Sequence, residues 1–456
     1  MSTLDTANRA KLNSYQDTVI TYITKENGHI LVVSDDQAFC TQLRLTLAKE
    51  MGLTAQSIFT ALADPRMMLR ELRDIMARHP APLIFIERSI GGRDLSFLVS
   101  QIKQAFTALK IIVLTSDVQR DRLMLLHEVG ADNFIAKPVS ANTLIEKMAF
   151  TLKPQSKLGQ IIDMAKKLLA MKKYDMALTA CQKVLSLKPG SAAAFLVMGD
   201  VFRATQQYDK ARLSYESAAK SADLYLAPLQ RLAEMFEEIG DISQQVRYLE
   251  KLDSLSPLNV NRKVSLGEAH FANGNLEKAE AFFEKAVVQM NREAADGLSA
   301  LSSRIAGIYG ERAPEMAEKF LRSSLEAKGK RLGRSDLALF NQLGISLRRQ
   351  GRWQDAITEY KRAIKIAPDD PTLYYNVGMA FAEGADFLQA KANLVKAMDL
   401  DPEMVKSNAS IACNFGAVFL QSGDRERASQ FFQQALALKP GMKIALQGLQ
   451  RAQAKA

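Results

Sequence analysis

The sequence predicts an α/β domain built on a five-stranded parallel sheet, followed by an all-α array of stacked helical hairpins. Three observations carry this prediction. Short apolar runs alternate with helical stretches over about 125 residues from His29, the pattern of a doubly wound sheet. Beyond residue 156 the strand signals stop. From there small residues and prolines recur about every 34 residues, the period of a helical hairpin repeat. Gly344, Ala356, Ala363 and Pro368 return in this way as Gly378, Ala390, Ala397 and Pro402.

Residues 1–27 are polar at first and then carry Leu12, Tyr15, Val19, Tyr22 and Ile23. That spacing puts the apolar side chains on one helical face. Such a helix either lies on the domain that follows or pairs with a second copy, which leaves a homodimer open. From His29 the texture changes. Ile30–Val33 predicts a buried strand that ends in Ser34, Asp35 and Asp36. A helix over 38–51 follows, then a weak strand near 55–59 and a helix to Arg78. Pro82–Ile86 is a second apolar strand and ends in Glu87. Ile111–Leu114 ends in Thr115, and Phe134–Ala136 ends in Lys137 and Pro138. The carboxyl ends of the strands of a doubly wound sheet gather into one site. Here they bring together Asp35, Asp36, Glu87, Thr115 and Lys137: three acids, a hydroxyl and an ammonium.

This arrangement resembles a bacterial response-regulator receiver domain, which has a flavodoxin-like fold, over residues 28–152. The resemblance implies an acidic pair after the first strand that holds Mg²⁺ and an aspartate after the third that accepts phosphate. It also implies a Thr or Ser that senses the phosphate and a Lys-Pro pair after the last strand. On that pattern Asp35 falls on the principal metal acid, with Asp36 beside it and Ser34 in place of the other acid. Thr115 and Lys137 match, and Phe134 lies at the switching aromatic. The departure is Glu87, which stands at the phosphoacceptor. A glutamate reaches one methylene further than an aspartate, so the attacking oxygen is displaced by about 1 Å, an error in-line transfer does not tolerate. Glu87 also carries a fixed charge that can pair with Lys137 without any phosphate. The expectation is a pseudo-receiver, locked rather than switched. The alternative is a regulator that is still phosphorylated and uses the repeats as its output. Asp35, Asp36 and Glu87 are candidate oxygen ligands for Mg²⁺.

The join at Lys153-Pro154-Gln155-Ser156 is too short for a loose tether. About eight hairpins are expected over 157–440, with a closing helix over 441–456. Gly344 and Ala356 lie on opposite helices of one hairpin, and their small side chains allow close packing. Leu343, Leu347 and Tyr360 fill the gap, and Pro368 cannot continue the second helix. The third hairpin departs from the pattern at Gln245, where a small residue is expected. The fifth, about 294–328, keeps only Ala317 and Leu321 in place, and a basic insertion from Lys328 to Arg334 follows it. At these residues the chain resembles the tetratricopeptide repeat (TPR). That resemblance implies a solenoid whose concave face binds peptides or partner proteins, lined by the first helix of each hairpin. Gln342, Asn376 and Asn414 precede the packing residues Leu343, Val377 and Phe415. A ladder of amides there can hydrogen-bond an extended peptide backbone. Tyr375 is a candidate anchor. Arg348 and Arg349, near the basic insertion, are candidates for an acidic partner, a solvated charge run being the alternative. Trp353 reads as packing.

A hydrophobic content of 47% with 24% charged residues belongs to a chain that builds cores rather than stays disordered. The region after Met1 has no long apolar run, and no stretch reaches the ~18 apolar residues of a membrane helix, so neither a signal peptide nor a span is expected. Cys40, Cys181 and Cys413 are widely spaced and suit a reducing compartment. The net charge of +10 permits an acidic partner. There is no zinc-finger spacing, basic zipper helix or aromatic RNA signature, so nucleic acid is not expected. His29, His79, His127 and His270 are scattered, no nucleophile accompanies them, and no glycine-rich phosphate loop appears, so no enzyme is expected. The expectation is a cytoplasmic, non-catalytic signalling adaptor whose repeats bind a histidine kinase or another response regulator. The alternative is a scaffold for a surface machine such as a pilus, flagellum or secretion system.

Overall fold

The computed structural model describes residues 3–222, 225–293 and 297–454. The chain divides into two compact units, Met1–Ala294 and Ala295–Ala456.

The first unit opens with α1 (Thr3–Lys25) and β1 (Ile30–Val33), followed by α2 (Gln37–Met51), α3 (Ala55–Ile58) and β2 (Phe59–Leu62). Then come α4 (Met68–Met76) and β3 (Leu83–Glu87), and a small ribbon of β4 (Ser89–Ile90) and β5 (Arg93–Asp94). The domain ends with α5 (Ser96–Ala105), β6 (Lys110–Thr115), α6 (Arg120–Glu128), β7 (Asn133–Ala136) and α7 (Ala141–Leu152). The sheet runs β2-β1-β3-β6-β7 with every neighbour parallel. Alternate residues of each strand feed two separate cores, as the two-residue period of a strand requires. Ile30, Val32, Phe85 and Ile112 pack on one face with residues of α1, α2 and α7. Leu31, Val33, Ile84 and Ile86 pack on the other with residues of α4, α5 and α6.

One strand lies later than its sequence expectation. Residues 55–58 form the short α3, and β2 begins at Phe59, which pairs with Ile30. β2 is an edge strand with Phe59 as its buried residue, so its apolar signal is thin. Helix α1 lies on its own domain. Val19, Tyr22 and Ile23 are buried in the first core. Tyr15 meets Phe150 at 5.4 Å between ring centroids, and the Tyr22 hydroxyl donates to Ala81 O at 2.8 Å.

Four helical hairpins complete the first unit. They are α8 (Lys157–Ala170) with α9 (Tyr174–Leu187), α10 (Ala192–Ala204) with α11 (Tyr208–Ser221), α12 (Ala227–Glu238) with α13 (Ile242–Leu255), and α14 (Val260–Ala272) with α15 (Leu276–Glu293). The second unit holds α16 (Leu298–Tyr309) with α17 (Pro314–Lys328), α18 (Leu337–Arg349) with α19 (Trp353–Ile366), and α20 (Pro371–Glu383) with α21 (Phe387–Leu400). A short α22 (Glu403–Ser407) then precedes α23 (Ala409–Gln421), α24 (Arg425–Leu438) and α25 (Lys443–Gln453). The hairpin glycines do what their spacing predicts. A Cβ on Gly344 would overlap the Tyr360 ring, and the same holds for Gly199 against Tyr215, Gly267 against Phe283 and Gly416 against Phe432. Each glycine therefore makes room for one large side chain of the opposing helix. Trp353 packs in like fashion on Gly384.

Candidate functional site

The receiver-like pocket forms where β1, β3 and β7 end. Glu87, the last residue of β3, is buried, and its Oε1 accepts from Ser34 Oγ at 2.7 Å and from Lys137 Nζ at 2.8 Å. Lys137 also reaches Asp36 Oδ2 at 2.9 Å. A compact cluster of one ammonium, two carboxylates and a hydroxyl results, with its charges nearly balanced. Lys137 holds the Asp36 carboxyl below its usual range, helped by the Phe39 N–H. Burial pulls the Lys137 ammonium down, but its bonds to Asp36 and Glu87 outweigh that and raise it.

Asp35 is the exception among the expected residues. It is exposed and has no hydrogen-bond or ion-pair partner among the described residues. The reason is local. Asp36 is the N-cap of α2, its Oδ1 accepting the Phe39 N–H at 3.0 Å, and this cap geometry turns its other oxygen to Lys137. Ser34, not Asp35, is the residue of the β1 end that faces Glu87. The Mg²⁺ set of Asp35, Asp36 and Glu87 is therefore not assembled, and no group of three potential ligands occurs among the described residues. An ammonium stands where a cation would need two of those carboxylates.

Thr115 also has a local task. Its Oγ1 accepts the Asp117 N–H and donates to Asp117 O, both at 3.0 Å, which closes the turn after β6. Phe134 is half-buried, edge-on to His127 at 6.0 Å, with Lys147 Nζ 5.1 Å above its ring. Arg88, next to Glu87, carries the pocket outward. It pairs with Asp94 at 3.1 Å and reaches Asp117 at 3.6 Å. Those acids sit at the entrances to α5 and α6.

Helices α5 and α6 rest on the turns that lead into α12 and α14. Met124 is part of the same core as Leu226, Leu229 and Leu252. Phe97 and Leu125 face Leu258 and Val260 across a gap of about 40 Å³, little more than a water's volume. At the centre is an ion pair that sequence reading missed. Arg262 donates to Glu128, which also accepts from Ser256 Oγ at 2.6 Å, and the two charged side chains are 4% and 6% exposed. A faint signal existed. Glu128 ends a helix and Arg262 begins one, each the wrong charge for its helix dipole. Placed against each other, both mismatches are relieved.

In the second unit the expected amide ladder is occupied by the protein itself. Gln342 Nε2 reaches Ser303 O at 3.4 Å, Asn376 Nδ2 donates to Asn341 Oδ1 at 3.2 Å, and Asn414 Nδ2 donates to Tyr375 Oη at 2.6 Å. Each amide thus ties its helix to the first helix of the preceding hairpin: α18 to α16, α20 to α18, α23 to α20. Tyr375 is further held against Phe415 at 6.3 Å. The arginines are neutralised too. Arg348 forms a two-pronged pair with Glu383 at 2.6 and 3.0 Å, and Arg349 pairs with Glu311 at 3.0 Å. In the basic insertion, Lys328 pairs with the buried Asp336, which also accepts from Ser299 Oγ at 3.0 Å, and Arg334 pairs with Asp369. Lys330 and Arg331 of the insertion are exposed without an acidic partner among the described residues, so this surface is paired only in part.

Comparison with known proteins follows the same division. Residues 30–149 match the response regulator receiver domain. Residues 162–225 and 245–297, 344–383, and 409–441 match tetratricopeptide repeat families. Among curated proteins, the chain is 26% identical over 127 residues to the protein O-mannosyl-transferase Tmtc3 of Drosophila melanogaster. That match covers 25% of this chain and 14% of the transferase. Among solved structures, the C-terminal part of a TPR repeat-containing protein from Cytophaga hutchinsonii is 15% identical, with a TM-score of 0.40, covering 63% of this chain and 99% of the other. A tetratricopeptide repeat protein from Parabacteroides merdae is 15% identical, with a TM-score of 0.29, over 65% of this chain and 99% of its own. YrrB, a TPR protein described as having an unusual peptide-binding site, is 20% identical at a TM-score of 0.31, over 44% of this chain and 96% of its own. No described helix is long and apolar enough to cross a membrane. A doubly wound sheet with this strand order, joined to stacked helical hairpins, makes the chain a response regulator receiver domain followed by tetratricopeptide repeats.

Proposed function

We propose that the protein is a non-catalytic adaptor of two-component signalling. Its repeats hold a partner protein, a histidine kinase or another response regulator, and its receiver is phosphorylated poorly or not at all. The observation that carries this reading is the state of Glu87. The carboxylate at the acceptor position is buried and already bonded to Lys137 and Ser34. Both bonds fall on Oε1 and hold the carboxylate in place, and a phosphoryl group would meet an oxygen set one methylene too far out. The pocket also lacks an assembled set of cation ligands, and phosphoryl transfer depends on a metal ion to offset charge. TPR hairpins supply no chemistry of their own and offer surface for a partner.

Two measurements test the proposal. The protein is incubated with acetyl phosphate and Mg²⁺ and weighed intact. An unmodified mass is expected, and a stoichiometric phosphoryl adduct overturns the locked receiver. The tagged protein is then recovered from its own cells. Enrichment of a kinase or another regulator supports the adaptor. Recovery of pilus, flagellar or secretion components without them replaces it by the scaffold reading.

A further inference from the structure

The third hairpin breaks its pattern at Gln245, and the structure places a cavity at that break. Gln245 of α13 is 8% exposed, and its amide has no hydrogen-bond partner among the described residues. Gln245 lines the cavity, so its amide is available to whatever fills that space. The cavity measures about 200 Å³. That is below the roughly 300–1,000 Å³ of small-molecule sites and suits a single side chain. It lies between α12 and α14, and the receiver's Glu128 forms part of its wall.

Its chemistry is one-sided. Three carboxylates line it, from Glu128, Glu234 and Glu237, against one cation, Arg262. Glu128 is bonded to Arg262, and Glu234 to Arg203 at 3.1 Å and Arg231 at 2.8 Å. Glu237 is exposed and has no ion-pair partner among the described residues. Gln230 uses its Nε2 on Glu234 at 3.1 Å, which leaves its carbonyl oxygen free to accept. The Glu237 carboxylate and the Gln230 side-chain oxygen are unspent acceptors, and the Gln245 amide can both accept and donate. Lysine and arginine are the cationic side chains that only donate. In a protein of net charge +10, a pocket lined by three carboxylates and one cation is a local reversal of sign.

We infer that this pocket receives a lysine or arginine side chain of the partner protein, and that the docked receiver completes its wall. The inference rests on the reading that the repeats bind protein and adds which chemistry they read. Glu128 reaches the wall only while α6 sits on α12 and α14, so receiver docking adds one of the pocket's three carboxylates.

Saturation-transfer NMR on the full chain tests it, with acetyl-Gly-Arg-Gly-amide as the probe and its Lys, Gln and Glu counterparts as controls. Transfer to the arginine and lysine side chains is expected, with at least fivefold weaker signals from Gln and Glu. Gln245→Leu should abolish the arginine signal. Glu237→Lys, at an exposed position that leaves the fold intact, should abolish it too. Asn414→Ala, in the other unit, should leave it unchanged. Equal signals from all four peptides, or an arginine signal that survives Glu237→Lys, overturn the pocket. Recovery of the cellular partner by Glu237→Lys separates the two claims. Undiminished recovery refutes the pocket and leaves the adaptor standing, whereas loss of the arginine signal together with the partner supports both.

Discussion

At the scale of single residues, the decisive group is Lys137. It serves Glu87 and Asp36 at once, at 2.8 and 2.9 Å. Removing it leaves the buried Glu87 carboxylate with only the Ser34 hydroxyl, and breaking such a pair costs about 3 kcal/mol. Lys137→Met should therefore lower the urea midpoint at pH 7 without changing the slope. The pH dependence has a definite sign. The Lys137 pKa is raised in the fold, so its contribution is complete below its unfolded value and fades as pH rises through the folded one. Asp36 behaves oppositely. Its pKa is lowered, so its contribution holds above the unfolded value and fades as pH falls through the folded one. Wild-type protein should lose stability on both limbs. Lys137→Met should lose much less on the alkaline limb, and an unchanged alkaline limb would show that the cluster contributes nothing. Reading strand ends in the sequence brought Glu87, Lys137 and Asp36 together, because strand ends in this topology converge whatever their details. It misplaced Asp35, since the facing of two consecutive residues depends on a cap torsion that no spacing encodes. The amides were open in the sequence for a different reason: a polar residue on a helix face can serve a ligand or a neighbour, and each of these spends an N–H on a neighbour.

At the scale of elements, the hairpin turns hold a small reserve of strain. One residue of each of seven turns adopts a left-handed backbone, and Gly240, Gly274, Gly351 and Gly423 fill four of them. Lys172, Gln206 and Ala385 fill the others at φ near 58°. A residue with a Cβ pays roughly 1–2 kcal/mol there. Ala385→Gly should raise the melting temperature, a rare case in which glycine stabilises, and a fall would mean that the Ala385 methyl packs better than the strain costs. Docking of α6 is the larger matter. Glu128→Ala leaves the buried Arg262 with only Asp253, at 3.6 Å, as counter-charge, at a cost of about 3 kcal/mol. The receiver should then lift from α12 and α14. Limited proteolysis should cut faster at 153–156, and hydrogen exchange should rise in the turn 256–259. Unaltered cleavage would mean that Met124, Phe97 and Leu125 hold the interface without the ion pair. Helices of both halves were legible through their period, and the hairpin glycines through theirs. The dock was not, because Glu128 and Arg262 are brought together only by the folding of everything between them.

At the scale of the molecule, a chain of charged contacts leads from the acceptor position to the repeats. Glu87 is followed by Arg88, which grips Asp94 and Asp117 at the starts of the two docked helices. Those helices press on the turns into α12 and α14. On the proposed reading the wild type has nothing to pass along this chain, because Lys137 already bonds Glu87. Restoring an acceptor should supply the missing input. Glu87→Asp withdraws the carboxylate by one methylene from Lys137, and Ser34→Asp returns an acid to the end of β1. The double variant, treated with acetyl phosphate and Mg²⁺, should take up phosphate and change hydrogen exchange in α6, at 225–226 and in the turn at 256–259. The wild type, treated alike, should change in neither respect. If the double variant is phosphorylated and the repeats stay silent, Arg88 is only a strut of the receiver. If wild type and variant respond equally, the glutamate was never the lock, and the repeats answer to phosphate after all.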